Sequence, residues 1–292
     1  MADPPGRAAR PPRVFTRALL EGIERACEAL GAPAVRALHQ PPAFTPGRKD
    51  GEFCALELDD GSIGLSYVLL EGTLGALARE PPALAGASSL ALARGYASAQ
   101  PLRRALGLAA INALSQRVFR LARYEPPAAS DAIGGLAPAP GDRVGMVGWF
   151  PPLTRQIVAS GASLVVLELD PAKAGEKEGF VVTLDRRELA RCNKVLATTT
   201  LILNDTLDSV LAACAAAERV VLVGPGGGCL PDALFARGVH ALGGTAIRDR
   251  EAFLRALSRG EPWGAQVRKY CIEAGGYPGA AALLARAAGR RG

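Results

Sequence analysis

The chain has 292 residues, of which 49% are hydrophobic and 21% are charged. This is enough apolar material for one large domain or two ordinary ones, and it excludes a disordered chain. The formal net charge is +6, with the densest basic stretches at the two ends, so we expect no nucleic-acid partner. No run approaches the roughly 18 apolar residues of a membrane span, and the first residues hold no signal-peptide core. We therefore expect a cytoplasmic protein without a membrane partner.

Side chains that bind metals are few and scattered. The six cysteines occur singly, with no CxxC pair, and His39 and His240 are the only imidazoles. Soft metals prefer clustered thiolates or imidazoles, so the pattern predicts no metal site and argues against a metal cofactor. Only Cys229, inside a glycine-rich run, is considered for reactivity, and a bystander thiol is the simpler interpretation.

The first half of the chain predicts a smaller α+β domain. Residues 1–13 are rich in proline and arginine and predict a disordered tail. The apolar spacing from residue 14 to residue 30 predicts a helix that ends at Gly31. Short strands are expected over 34–38, 53–58 and 63–69, the last two joined by a hairpin turn, and helices over 88–97 and 102–122. The domain spans residues 14–125, and residues 126–142, rich in Pro, Gly and Ala, predict a linker.

Residues 143–292 alternate between apolar runs and helical patterns. Strands are predicted over 143–147, 163–169, 194–198, 219–223 and 240–242, with helices over 153–160, 207–217, 231–237 and 249–257 and a closing helix after residue 263. Strands that are apolar throughout and separated by helices are typical of a parallel sheet covered on both faces. We therefore predict a Rossmann-like ligand-binding domain.

In such sheets, ligands bind beyond the carboxyl ends of the strands, at the point where the strand order reverses. Gly145 and Gly148 at the end of the first strand would let the backbone approach a ligand. Glu168, about twenty residues further on, is where adenosine-binding domains place the acid that receives ribose hydroxyls. Asp170 is the neighbouring candidate, and a solvated acid at a strand end is the alternative.

Polar residues follow the next two strands as well. The threonines Thr198, Thr199 and Thr200 precede Asn204, and their hydroxyl and amide groups could bind a carboxylate, a hydroxyl or a phosphate. Thr206 or Asp205 could equally serve as a helix cap. Gly224 and Pro225 open a glycine-rich loop that offers backbone donors to the same cleft.

Four segments carry a family resemblance: VGMVGWFPPL (144–153), TTTLILNDTLD (198–208), VGPGGGCLPDALFARGV (223–239) and LGLAAINA (106–113). With them, most of residues 140–258 resembles a domain family of unknown function labelled for heavy-metal chelation. The resemblance implies an enolase-N-terminal-like domain packed on a Rossmann-like domain, with a site in the cleft between them. It implies that the site is lined by Gly148, Phe150, Pro151, Glu168, Thr198, Thr200, Asn204, Gly224 and Pro225, with Asn112 from the N-terminal domain. Thr199 and Gly226–Gly228 depart from the pattern we expect for that family.

Three hypotheses for function follow. The first is an enzyme that binds S-adenosylmethionine as cofactor and carries out methyl transfer, or transfer or cyclisation of its aminocarboxypropyl arm. Asn112 and Asn204 would be its catalytic candidates. The second is a protein that binds a metal or a metal chelate. The third, an NAD(P)-dependent enzyme, is disfavoured because the G-x-G-x-x-G fingerprint is missing. Each takes a small molecule as its partner, and a homodimer is left open.

Overall fold

The computed structural model describes residues 14–42, 52–79 and 82–290, so the predicted tail over residues 1–13 lies outside the described part. The α-helices are α1 (Val14–Leu30), α2 (Thr73–Arg79), α3 (Ser89–Arg94), α4 (Pro101–Leu121), α5 (Pro151–Ala159), α6 (Thr200–Leu203), α7 (Leu207–Ala213), α8 (Asp232–Phe235), α9 (Arg250–Arg259) and α10 (Ala280–Ala288). The strands are β1 (Val35–His39), β2 (Phe53–Leu58), β3 (Ile63–Tyr67), β4 (Arg143–Val147), β5 (Ser163–Leu167), β6 (Gly175–Lys177), β7 (Phe180–Thr183), β8 (Lys194–Thr198), β9 (Arg219–Val223), β10 (Ala241–Ile247) and β11 (Val267–Glu273). Of the helices within these ranges, none has both the length and the apolar character needed to span a bilayer.

A small antiparallel sheet in the order β1-β2-β3 packs against the long helix α4. The β2–β3 turn forms where the sequence predicts it, with Asp60 Oδ1 accepting the N–H of Ser62 at 3.1 Å. A Cβ at Gly64 in β3 would lie 2.1 Å from the carbonyl oxygen of Ala109. Only glycine therefore permits this close approach, which packs β3 directly against the backbone of α4.

The large sheet has the order β11-β10-β9-β8-β4-β5-β7-β6, and its six inner strands are parallel. From β4 the chain proceeds outward through β5 and β7, then returns to β8 and proceeds the other way through β9 and β10. The strand order thus reverses between β4 and β8, which pair over Val144–Val147. The predicted α/β class, a large mostly parallel sheet with a smaller α+β part, is confirmed, and its switch point positions the candidate site.

The closing helix predicted after residue 263 is wrong in its first part. Residues Val267–Glu273 instead form β11, antiparallel to β10, and α10 begins only at Ala280. Tyr270 and Ile272 are buried whereas Lys269 is exposed, the period of two that a half-buried edge strand requires. The β6–β7 hairpin was not predicted, because β6 is short, polar and largely exposed and the apolar run of β7 is only three residues long.

Hydrophobic packing joins the two ends of the chain. Helix α10 packs against α1 and α4, burying Leu283 and Ala287, and α1 also contacts α8. Residues 127–129 pair with the outer edge of β11, where the Cys271 N–H donates to the Pro127 carbonyl at 3.0 Å. Ile133 and Leu136 then pack into the core beside β4 and β9. One apolar core therefore includes residues from both halves of the chain.

Candidate functional site

The turn that follows β4 touches the end of β8 at the switch point. Gly148 has a φ of +85°, and its N–H donates to the Leu167 carbonyl at 3.0 Å. A Cβ at this position would lie 3.2 Å from Cγ2 of Thr198. We use the word crevice for the groups gathered here, namely Gly148, Thr198–Thr200 and Gly224–Gly228.

The threonines of the crevice have two kinds of role. Thr199 is buried, and its N–H donates to the Val223 carbonyl at 3.0 Å, which joins β8 to β9. Thr198 and Thr200 are half-buried, with their hydroxyl oxygens 2.9 Å apart. Thr198 Oγ1 also accepts the N–H of Thr200 at 3.2 Å. The two hydroxyls therefore form a preformed polar group at the carboxyl end of β8.

The loop Gly224–Gly228 is held from inside the protein by its carbonyl groups. The Gly226 carbonyl accepts from Asn112 Nδ2 at 3.0 Å, that of Gly227 from Tyr270 Oη at 3.0 Å, and that of Gly228 from Gln116 Nε2 at 2.9 Å. A Cβ at Gly224, which has a φ of +148°, would lie 2.4 Å from Thr199 Oγ1. The loop is thus a fixed surface against which the threonines pack.

One face of helix α4 contacts the glycine loop and the end of α6. Arg104, Leu108, Asn112 and Gln116 are spaced by four residues and therefore lie in one stripe, which we call the α4 stripe. Its polar members contact the segments that follow β8 and β9. Asn112 is fully buried and also donates from Nδ2 to the Leu65 carbonyl at 2.7 Å. Its Oδ1 has no hydrogen-bond partner within the described residues.

Glu168 stands at the end of β5 beside the turn that follows β4. Its Oε1 accepts the N–H of Trp149 at 2.8 Å and lies 3.4 Å from Lys173 Nζ, while Oε2 accepts the N–H of Leu169 at 3.2 Å. The side chain is 13% exposed. Its carboxylate therefore holds the β4–α5 turn in place.

Other predicted site residues lie elsewhere. Gly145 is buried in the middle of β4, where a Cβ would lie 2.8 Å from Leu189 Cδ2, so it faces the core. Phe150 packs on the core below the turn, and Pro151 is exposed at the start of α5. Asn204 follows α6, one helical turn beyond Thr200, and lines a separate pocket with Arg104. Pro225 is half-buried in the glycine loop.

The sequence did not identify Gln116 or Tyr270, although both hold the glycine loop. Their partners lie more than forty residues away along the chain, and no local pattern connects them. A signal for Gln116 was nevertheless present, because it follows Asn112 by four residues on a helix.

Groups that could hold a metal directly are sparse around the crevice. Among the residues that the structure describes, no three His, Cys, Asp or Glu side chains are arranged to hold a metal ion. Cys229 is fully buried, and burial raises the pKa of its thiol to about 12, so it stays protonated at neutral pH. The crevice therefore offers hydroxyl and amide groups, not thiolates or imidazoles.

Comparison with known families identifies relatives of this chain. Two family models match, each described as "Putative heavy-metal chelation": DUF364 over residues 131–273 and DUF4213 over residues 51–115. A DUF364-family protein of unknown function from Pyrococcus horikoshii is 23% identical, with a TM-score of 0.65 over 87% of this chain and 99% of that chain. Another, from Desulfitobacterium hafniense DCB-2, is 21% identical, with a TM-score of 0.64 over 88% of this chain and 98% of that chain. No curated protein matches the sequence.

These matches correct the expectation about cofactors. The sequence predicted S-adenosylmethionine as cofactor and no metal, whereas the description of both family models points to metal binding. Scattered cysteines and histidines argue only against a site built from protein thiolates or imidazoles, and not against a metal bound as a complex. The two models together match residues 51–115 and 131–273, and with the two solved structures they confirm the resemblance drawn from the motifs, to the family described as "Putative heavy-metal chelation".

Proposed function

We propose that this protein binds a heavy metal as a complex with a small organic chelator, and that the crevice receives the complex. The observation that carries the proposal is the donor set at the switch point. It consists of half-buried threonine hydroxyls at the end of β8 and a glycine loop after β9 that α4 holds in place. Such a set suits a polar organic molecule. The description of the matching family models, heavy-metal chelation, is the reason for including a metal in the proposal.

The side chains of the crevice fit a bare heavy-metal ion poorly. Soft metals select thiolates and imidazoles, and the Cys229 thiol is protonated and buried. The Glu168 carboxylate already accepts hydrogen bonds from two backbone N–H groups. A metal that arrives with its own ligands needs no protein side chain in its coordination sphere, and the crevice then recognises the outer surface of the complex.

Calorimetric titration and thermal unfolding of chelator-treated protein test this proposal. The probes are Ni²⁺ alone, citrate and histidine alone, and the preformed nickel complexes of each. We expect a complex to stabilise the protein more than either component alone. Free complex at about a hundred times its Kd adds about 2.7 kcal/mol to the free energy of unfolding. Stabilisation by Ni²⁺ alone that equals that of the complex would contradict the proposal, as would the absence of any shift.

A matched pair of variants locates the site. Thr200→Val removes one hydroxyl with little change of shape and should weaken binding of the complex by about tenfold, the loss expected for one hydrogen bond. Thr16→Val makes the same change in α1, where Thr16 is buried and is not one of the crevice groups, and should leave binding unchanged. Equal affinities for the two variants would place the complex elsewhere.

A further inference from the structure

A pocket separate from the crevice lies between α2, the start of α4 and the end of α6. It has a volume of about 70 Å³, several times the roughly 10–15 Å³ that one water molecule requires. Its polar lining consists of Arg104, Asp205, Asn204 and Thr73. Aliphatic groups, Leu70, Ala99, Pro101 and Leu203, form the remaining walls. The pocket thus has room for a charged head group and a short apolar stem.

The positively charged residue in the lining of this pocket is Arg104. The residue is 8% exposed, and its Nη1 lies 2.5 Å from Asp205 Oδ2 and 3.4 Å from the Leu203 carbonyl. Its Nε and Nη2 are buried and have no hydrogen-bond partner within the described ranges of the chain. A buried charged donor without an acceptor is costly, so the arrangement favours an acceptor from outside the protein.

The carboxylate of Asp205 is the acidic partner of Arg104, and an aromatic ring lies beside the same guanidinium. The Tyr96 ring lies 5.7 Å from the guanidinium, and its hydroxyl donates to the Ile202 carbonyl. Burial raises the pKa of Tyr96 far above its usual value, so this phenol stays neutral. A ligand in the pocket therefore meets one positive and one negative group side by side.

This pairing of charges selects the ligand. A plain carboxylate would be attracted by Arg104 but repelled by Asp205. A plain ammonium group would be attracted by Asp205 but repelled by Arg104. A molecule that carries both charges on neighbouring atoms is matched by both. Asn204 also lines the pocket. Its Oδ1 accepts hydrogen bonds from the N–H and the hydroxyl of Thr206, so its NH₂ group points away from Thr206 and can donate to a ligand.

We propose that this pocket binds the α-amino-carboxylate group of a small molecule, with the carboxylate at Arg104 and the ammonium group at Asp205. Asn204 of the pocket follows Thr200 of the crevice by four residues through α6, an axial rise of about 6 Å at about 1.5 Å per residue. The assignment concerns an organic head group and does not depend on whether the crevice binds a metal.

The test is calorimetry and thermal unfolding of the metal-free, chelator-treated full chain with L-2-aminobutyrate, butyrate and propylamine. A ligand this small should bind with a Kd in the millimolar range. We expect L-2-aminobutyrate to bind at least tenfold more tightly than the two compounds that each lack one charge. Butyrate binding of equal strength would overturn the zwitterion proposal in favour of a plain anion site, and no binding of L-2-aminobutyrate would overturn it altogether.

Asp205→Asn separates charge recognition from folding. Asp205 is partly exposed and has a φ of +60°, which asparagine tolerates, so the variant should fold. It should lose at least tenfold in affinity for L-2-aminobutyrate and bind butyrate more tightly than the parent protein does. Asp208→Asn, on an exposed carboxylate paired with Arg237, is the matched control and should change neither affinity. An Asp205→Asn variant that keeps the parental preference would contradict the assignment.

Discussion

The side-chain amide of Asn112 joins two stretches of backbone that are far apart in the sequence. Its Nδ2 donates to the Leu65 carbonyl at 2.7 Å, in the small sheet, and to the Gly226 carbonyl at 3.0 Å, in the glycine loop. Both acceptors are carbonyl oxygens, so the position requires a donor. Asn112 was a catalytic candidate in the sequence, and its contacts identify at least a structural role.

Asn112→Asp should therefore be strongly destabilising. A carboxylate would face two carbonyl oxygens in a fully buried position, and both hydrogen bonds would be lost. We expect a loss of about 3–5 kcal/mol in the free energy of unfolding, measured by urea denaturation at neutral pH. The control Asn204→Asp, at a half-buried site, should cost less than about 1 kcal/mol. A cost for Asn112→Asp as small as that of the control would show that the amide is dispensable.

At the scale of elements, the sequence predicted those strands that are apolar and bounded by turns. The bounds of β4, β8 and β9 agree with the prediction because their continuous apolar runs allow only a buried strand. The edge strands β6 and β11 were missed or misassigned because they carry polar residues and a weak pattern, and β7 was missed because its apolar run is only three residues long. The same limit applied to the site: residues after strands could be nominated, but the partners that α4 and β11 supply depend on tertiary packing.

Strands β4 and β8 are fastened together at their amino ends by Asp142. Its carboxylate accepts from Lys194 Nζ at 2.7 Å and from Asn193 Nδ2 at 2.7 Å. The hydrogen bonds from Lys194 and Asn193 lower the pKa of Asp142 from 3.8 to about 2. The carboxylate form is thus the one that holds the centre of the large sheet.

A depressed pKa gives stability that is present above the unfolded value and lost as pH falls toward the folded value. The parent protein should exceed Asp142→Asn in unfolding free energy by about 1 kcal/mol near neutral pH. This difference should be constant at higher pH and shrink as the pH falls from 3.8 toward about 2. Urea denaturation of both proteins across this range provides the measurement. A difference that stays flat or grows on acidification would contradict the assignment.

At the scale of the whole molecule, the C-terminal helix closes onto the N-terminal half. Leu283 in α10 is fully buried, and α10 packs against both α1 and α4. The domain boundary predicted over residues 126–142 is therefore crossed by shared packing, and we expect the two halves to unfold together.

Leu283→Ala should lower the free energy of unfolding by about 2–5 kcal/mol, the cost of a cavity at a fully buried leucine. Hydrogen exchange should show the loss equally in α1 and in β9, because one core includes both. Leu284→Ala, at the adjacent half-buried position, is the matched control and should cost less. Protection lost in one half alone would mean that the halves unfold separately.

Because the α4 stripe contacts two sites, the number of residues between Arg104 and Gln116 matters as much as which residues they are. Each residue advances an α-helix by about 100°, so one residue inserted between Arg104 and Gln116 would turn one end of the stripe away from its partners. Substitutions along α4 disturb single contacts, whereas an insertion or deletion would separate the pocket at Arg104 from the glycine loop at Gln116. Among relatives that keep both sites, changes in chain length should therefore accumulate before Arg104 and after Gln116, and not between them.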